Sequence, residues 1–302
     1  MNFEFDKRAS VRGFHAKIRS GELRLEKRRC LCGRDDSKLL ARYSAYGERN
    51  RVVICRHCGL IYADPYFDAV SLSWFYSSDI YRKIYDGSDF LEIARQRVTS
   101  GSGTVLPVLP MIRRWKAPGA SVVEIGCGAG WNLVPFLKAG YATCGYEYSA
   151  GLVEVGRAHG LDVRVGAAAA GTYDVVIVNQ VLEHNPDFSV FVQSLGKLLA
   201  SGGILYIGVP NMDMYRAGQF QSAHCHYFTP PTLRHYMALE GFECLALEPS
   251  SEFNMHGVFV LGREVEPPSL SGEFARMSDV IAGHHLGVFA KNTLHHLVTY
   301  LP

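Results

Sequence analysis

The chemistry-bearing residues of this chain start with the run Val122-Val-Glu-Ile-Gly-Cys-Gly-Ala-Gly130, an apolar strand breaking into a glycine-spaced turn, with Glu147 placed 21 residues after Gly126. Glycines at such a turn let the backbone approach a ligand closely. The helix that follows offers free N–H groups, and a later acidic residue can hold ribose hydroxyls. The pattern is that of a nucleotide cofactor. A dinucleotide fingerprint needs a third glycine at position 131, for close helix–strand packing, and the chain has Trp131 there.

The spacing is instead G-x-G-x-G, and Glu124 puts a carboxylate beside the turn. S-adenosylmethionine, which has no pyrophosphate and carries a sulfonium and an ammonium, tolerates that charge. On these residues the chain resembles the class I S-adenosylmethionine-dependent methyltransferases. Glu124-Ile-Gly-Cys-Gly-Ala-Gly130 is similar to their first motif and Gly145-Tyr-Glu-Tyr-Ser149 to their second, and the likeness runs through about residues 105 to 262. It implies cofactor contacts at Glu124, Gly126, Cys127, Gly128, Gly130, Glu147 and Tyr148. Tyr173-Asp-Val-Val-Ile-Val-Asn-Gln-Val-Leu-Glu-His184 resembles the family's fourth-strand motif, which would put Asn179 and Gln180 on the cofactor edge. One departure is the stretch Val165-Gly-Ala-Ala-Ala-Ala-Gly171, where many relatives carry an acidic residue for the adenine amino group.

Methyl transfer from a sulfonium is an in-line displacement. The protein must align acceptor and methyl, exclude water and supply a base where the acceptor carries a proton. His184 is one candidate base. The segment His224-Cys-His-Tyr-Phe-Thr229 resembles a histidine loop bordering the acceptor site in methyltransferases of the ubiquinone-biosynthesis type, which makes His226 the second candidate, with Tyr227 and Asn211 as orienters. Which histidine acts is left open. Metal at this loop is disfavoured because no carboxylate cluster accompanies it in sequence.

Cys30-Leu-Cys32-Gly33 and Cys55-Arg-His-Cys58-Gly59 form two cysteine turns separated by 22 residues, a layout suited to tetrahedral thiolate coordination of structural zinc. The second has the C-x-x-C-G form of a knuckle; the first is one residue shorter. Small modules of this size rarely fold on core burial alone, which favours a metal at Cys30, Cys32, Cys55 and Cys58. With Gly59-Leu-Ile-Tyr-Ala-Asp-Pro65, these residues resemble the bacterial small-molecule methyltransferases that have an N-terminal zinc-ribbon module.

The elements that must position these groups follow from the pattern. Strand and helix signals alternate from Ser121 through Val209, implying a parallel sheet with helices on both faces. A helix near 232–240 and strands at 244–248 and 258–262 follow. The expected fold is α/β, a Rossmann-like seven-stranded sheet, mostly parallel with the last strand antiparallel as in the family, plus a small β-rich zinc-binding module. The organisation reads as a basic segment at 1–28, the zinc-ribbon-like module at 29–66, a helical connector and cap at 67–118, the cofactor domain at 119–264 and a helical extension at 265–302. In that extension Leu286, Phe289, Leu294, Leu297 and Val298 suggest an amphipathic helix, and His284, His285, His295 and His296 a solvated face.

Hydrophobic residues make up 48% and charged residues 20% of the chain, ordinary globular values. No apolar run suits a bilayer helix and the start lacks a signal-peptide layout, so a cytoplasmic protein is expected. The formal charge is +2, but residues 1–60 hold 15 Lys and Arg against 7 Asp and Glu, a balance of +8. A basic front favours an RNA, a phosphorylated substrate or an acidic carrier. The resemblance implies a methyltransferase acting on oxygen or carbon of a small molecule, sugar-containing or specialised, and the basic front adds the options of a phosphorylated, nucleotide-linked or carrier-bound one. An RNA methyltransferase using the basic zinc module, and a non-catalytic cofactor-binding scaffold, are the competing readings. Nucleic acid is disfavoured because aromatics are not interleaved with basic residues in the module.

Overall fold

The computed structural model describes residues 2–44, 49–78, 80–85, 87, 89–100, 108–168, 171–214, 220–249, 253–262 and 264–284. Helix α1 covers Asn2–Ser20. The sequence reads as aperiodic there, yet Val11, Phe14 and Ile18 share one face, and Phe14 packs on Phe67 and Phe75 at ring-centroid distances of 5.7 and 5.3 Å. Three apolar positions in a charged segment suffice once a partner surface exists. Strands β1 (Leu25–Glu26), β2 (Ser37–Tyr43), β3 (Arg49–Cys55), β4 (Ile61–Ala63) and β5 (Tyr66–Phe67) follow, then helices α2 (Ala69–Ser77), α3 (Ile80–Tyr85), α4 (Phe90–Ser100) and α5 (Val108–Ile112). Helix α4 buries Phe90, Ala94 and Val98, the face its spacing predicts.

The cofactor-domain elements are β6 (Ser121–Ile125), α6 (Leu133–Lys138), β7 (Ala142–Glu147), α7 (Ala150–Ala158), β8 (Val163–Val165), β9 (Tyr173–Asn179), α8 (Phe188–Gly196) and β10 (Leu199–Pro210). After them come β11 (His226–Tyr227), α9 (Pro230–Leu239), β12 (Phe242–Pro249) and β13 (Asn254–Leu261). Seven strands form one sheet in the order β12-β13-β10-β9-β6-β7-β8, parallel except for β13, which runs antiparallel to both neighbours. This is the expected α/β fold. Central strands are rich in buried valine because both faces are covered: Val122, Val123 and Val175 to Val178 are fully buried.

The chain leaves β6 toward β7 and β8, then returns to the other side of β6 as β9. The order therefore reverses between β6 and β9, and a crevice opens at their carboxyl ends, where such sheets bind ligands.

A second sheet, β11-β4-β3-β2, contains the cysteine module, but one of its strands comes from far along the chain. Strand β11 is part of the histidine loop, with His226 opposite Tyr62 and Tyr227 opposite Ile61. Residues 273–284 are helical and place Met277 and Ile281 against Val52, Ile54, Ile61 and Tyr227. His284 lies in that helix, whereas His285, His295, His296 and the apolar positions from Leu286 to Val298 lie outside the described residues. No helix among the described residues is long and apolar enough to cross a membrane.

Candidate functional site

A cleft of about 1400 Å³ runs along the carboxyl ends of β6, β7 and β9, under the helices α2 to α4. It exceeds the roughly 300–1,000 Å³ of ordinary ligand sites, so two molecules fit side by side. Glu124, Gly126, Cys127, Glu147, Tyr148, Asn179 and Gln180 all line it. Gly128 and Gly130 stand behind them in the same turn, and all three glycines adopt left-handed φ angles. At Gly126 (φ 69°) a Cβ would lie 2.5 Å from the Val181 side chain, so the turn closes directly onto the loop after β9.

Glu147 is bound into this turn. One carboxylate oxygen accepts from the Gly128 N–H at 3.0 Å and the other from the Tyr148 and Ser149 N–H groups at 2.8 and 3.0 Å. The Arg82 guanidinium from α3 lies 3.8 Å away. Glu124 differs. It is 1% exposed; Asn132 donates to Oε1 at 2.6 Å, and Oε2 has no hydrogen-bond partner. Burial pushes its pKa up to about 8. A cation delivered to Oε2 would reverse that shift. Asn179 also has an unpartnered buried oxygen, and Gln180 sits at φ 56°, its N–H donating to the Gly208 carbonyl at 2.8 Å. Gly166 and Ala168 form the wall where an acidic residue is missing, beside Tyr148, which is 63% exposed.

His184 and His224 also line the cleft. His184 Nδ1 lies 2.9 Å from the Ala223 carbonyl and 2.8 Å from the Tyr76 hydroxyl. The carbonyl can only accept, so Nδ1 carries the proton and Nε2 is left with a lone pair. Tyr76 and Tyr81 pack edge-on around the ring, and His224 lies 4.7 Å away between centroids. Burial lowers His184 to about 4 and His224 well below its ordinary value, so both are neutral imidazoles.

His226 and Tyr227 are placed elsewhere. His226 is buried against Phe188 and Phe228 in β11, outside the cleft lining, with its pKa lowered by burial to about 3. The Tyr227 hydroxyl donates to the Gln221 carbonyl at 2.9 Å and fastens the loop. His226 pairs with β4 opposite Tyr62, whereas His224 lies before the strand and lines the cleft. Asn211 is likewise buried, its side chain accepting from the Asp213 N–H at 3.0 Å.

Two ligand-rich clusters occur among the described residues: Cys30, Cys32, Cys55 and Cys58, and Glu183, His184 and His224. In the first, all ligand atoms lie within 4.8 Å, with Cys30–Cys58 and Cys32–Cys55 sulfur separations of 3.3 and 3.7 Å. Four sulfurs at about 2.3 Å around a tetrahedral zinc would be about 3.8 Å apart, so the set fits that ion. Gly33 and Gly59, both left-handed, close the two turns, and the shorter first turn still brings Cys30 and Cys32 into the cluster. The neighbouring Cys55 and Cys58 thiols push the Cys30 thiol up, and Cys55 is held low by accepting from the Cys30 and Cys58 thiols. Tyr236 of α9 donates to Cys58 Sγ at 3.1 Å.

The second cluster corrects one expectation. A carboxylate does accompany the histidine loop, since Glu183 Oε1 lies 3.9 Å from His184 Nε2 and 4.0 Å from His224 Nε2. Glu183 belongs to the turn after β9, and only the fold joins it to residue 224. Helix α8 and Arg82 also went unread in sequence, although Phe188, Val192 and Leu195 recur at helical spacing.

Residues 103–247 match a family model described as a methyltransferase domain. Ubiquinone biosynthesis O-methyltransferases are among the curated relatives. That of Chelativorans sp. (strain BNC1) is 28% identical over 33% of this chain and 44% of its own length. That of Caulobacter vibrioides is 30% identical over 32% and 43%. The chain thus spans less than half the length of the curated relatives it matches. Among solved structures, magnesium protoporphyrin IX methyltransferase from Synechocystis PCC 6803 with bound SAH aligns at 18% identity, covering 63% of this chain and 98% of that one, with a TM-score of 0.46.

Proposed function

We propose that this chain, whose residues 103–247 are a methyltransferase domain, transfers a methyl group from S-adenosylmethionine to a small molecule, with oxygen preferred to carbon as the acceptor atom. The observation that carries the reading is Glu124: a fully buried carboxylate with one unpartnered oxygen, on the cleft wall beside a left-handed glycine turn. An ammonium group answers it, and a pyrophosphate does not. The O-methyltransferase relatives support the choice of oxygen.

Bound there, S-adenosylmethionine would supply an electrophilic methyl group on a sulfonium. The residues that would hold it are Glu124 for the amino group, the 126–130 turn for the chain, Glu147 for the ribose hydroxyls and Tyr148 with Gly166 and Ala168 for the adenine. Glu147 must trade part of its hold on the local N–H groups for those hydroxyls. Helices α2 to α4 roof the cleft and exclude water from the line of attack. His184, its Nδ1 proton fixed on the Ala223 carbonyl, offers Nε2 to the acceptor's proton, with His224 beside it. His226 and Tyr227 hold the loop that carries His224. The cysteine module, with zinc as its structural ion, braces that loop through β4 and β11.

Titration calorimetry tests the cofactor: micromolar S-adenosylmethionine binding that Glu124→Ala abolishes supports the reading, and NAD binding in its place would refute it. A methyl-transfer assay against hydroxylated small molecules and RNA identifies the acceptor class.

A further inference from the structure

The cysteine cluster accounts for one metal. We propose that Glu183, His184 and His224 form a second and separate site for a divalent first-row transition ion, bound through one Glu183 oxygen and the Nε2 atoms of the two histidines.

Glu183 is 1% exposed, and neither of its oxygens accepts a hydrogen bond. A buried carboxylate left this way is costly unless something positive meets it. Both histidine Nε2 atoms face it, at 3.9 and 4.0 Å, and the three ligand atoms lie within 4.8 Å of one another. Around an ion with bonds of about 2.1 Å, ligands sit roughly 3.0–3.4 Å apart, so the set closes by small side-chain rotations. His184 is already in the ligating tautomer, its Nδ1 engaged by Ala223 and Tyr76, the kind of outer contact that fixes a metal-bound imidazole. Two imidazoles and one carboxylate suit zinc, iron(II) or cobalt(II) and disfavour magnesium and calcium, which prefer all-oxygen shells.

The two histidines line the cleft, so an ion held here keeps an open position toward it, as catalytic ions do. An acceptor oxygen could take that position and lose its proton to water; with the ion bound both Nε2 lone pairs are engaged, so His184 acts as the base only in the metal-free protein. That use rests on the methyl-transfer reading; the site itself does not.

Cobalt(II) titration of the full-length protein stripped of metal tests the proposal, because the two sites differ in colour. A four-thiolate site gives intense sulfur-to-cobalt charge-transfer bands, and a nitrogen–oxygen site gives only weak d–d bands. The expected result is two equivalents, one of each kind. Glu183→Gln should weaken the second at least about tenfold while leaving the thiolate bands in place. Should that variant lose the thiolate bands as well, His224→Gln decides on the same criterion. Wild-type protein without the nitrogen–oxygen spectrum, or both variants retaining it at full strength, overturns the site. Calorimetry with S-adenosylmethionine on the wild type is read separately, so loss of the methyltransferase reading leaves the cobalt result standing.

Discussion

His226 lies directly opposite Tyr62 in the pairing of β11 with β4. Two residues 164 positions apart thus make the histidine loop a strand of the cysteine module's sheet. The same pairing leaves His224, two residues earlier, at the cleft beside His184. The module therefore positions the site: Cys225 donates its N–H to the Glu183 carbonyl at 2.9 Å and accepts from the Ala63 N–H at 2.9 Å.

Tyr236→Phe is expected to weaken zinc binding at the proposed four-cysteine site without unfolding the chain. The hydroxyl donates to Cys58 Sγ at 3.1 Å, and removing it leaves the thiolate with less stabilisation but the ring packing intact. Loss of such an outer contact costs about 10–100-fold in metal affinity. Competition with a chromogenic chelator reads this directly; unchanged affinity would remove Tyr236 from the zinc site.

Glu124 should make stability depend on pH. Burial raises its folded-state pKa to about 8, while the unfolded chain titrates near about 4.3. Below that lower value both states are protonated. Between the two, the unfolded chain has released a proton that the folded chain keeps, so stability falls as pH rises through the window. Glu124→Gln removes this slope and should stabilise the ligand-free protein at pH 8 by on the order of a few kcal/mol. Denaturant titrations of both proteins at pH 5 and pH 8 check the sign. At neutral pH, S-adenosylmethionine binding should release close to one proton from Glu124, seen as a dependence of the calorimetric heat on buffer ionisation enthalpy.

Much of the fold was legible because its signals are local. The runs Val122–Ile125, Tyr173–Val178 and Ile204–Val209 are rich in Val and Ile, and Gly126 marks the turn between strand and helix. Thr229 caps helix α9, its side chain accepting from the Thr232 N–H, the local signal being a threonine followed by two prolines. The cluster of Glu183, His184 and His224 was not readable, because its partners meet only through tertiary pairing. Glu183 and His224 belong to different loops, Arg82 reaches Glu147 from a separate helix, and His226, the candidate read from sequence, is paired with β4 while His224 lines the cleft. Helix α1 was missed for a related reason, since its apolar face is narrow and gains meaning only against Phe67 and Phe75.

Gly126→Ala should cost both stability and cofactor binding. A non-glycine residue in the left-handed region costs about 1–2 kcal/mol, and here the added Cβ also meets Val181 Cγ2 at 2.5 Å. Adding Val181→Ala removes the steric part and leaves the backbone part. The double variant should recover part of the lost melting temperature while still binding S-adenosylmethionine weakly, since the turn itself stays distorted. Full recovery of binding would mean that the clash alone was responsible.

Placement relative to the cleft separates the three histidines kinetically. His184→Gln and His224→Gln should lower kcat by about 10²–10⁴-fold, the usual worth of a proton acceptor, with little change in S-adenosylmethionine affinity, since neither residue touches the glycine turn. His226→Gln should act through stability instead, because its ring is buried between Phe188 and Phe228 and its strand fastens the loop. At a temperature well below its lowered midpoint, the folded fraction of that variant should keep most of its kcat. Steady-state kinetics normalised to folded protein distinguish the cases. A large kcat loss in His226→Gln, with His184→Gln unaffected, would transfer the proton-accepting role to the histidine in β11 and require the loop to reopen during turnover.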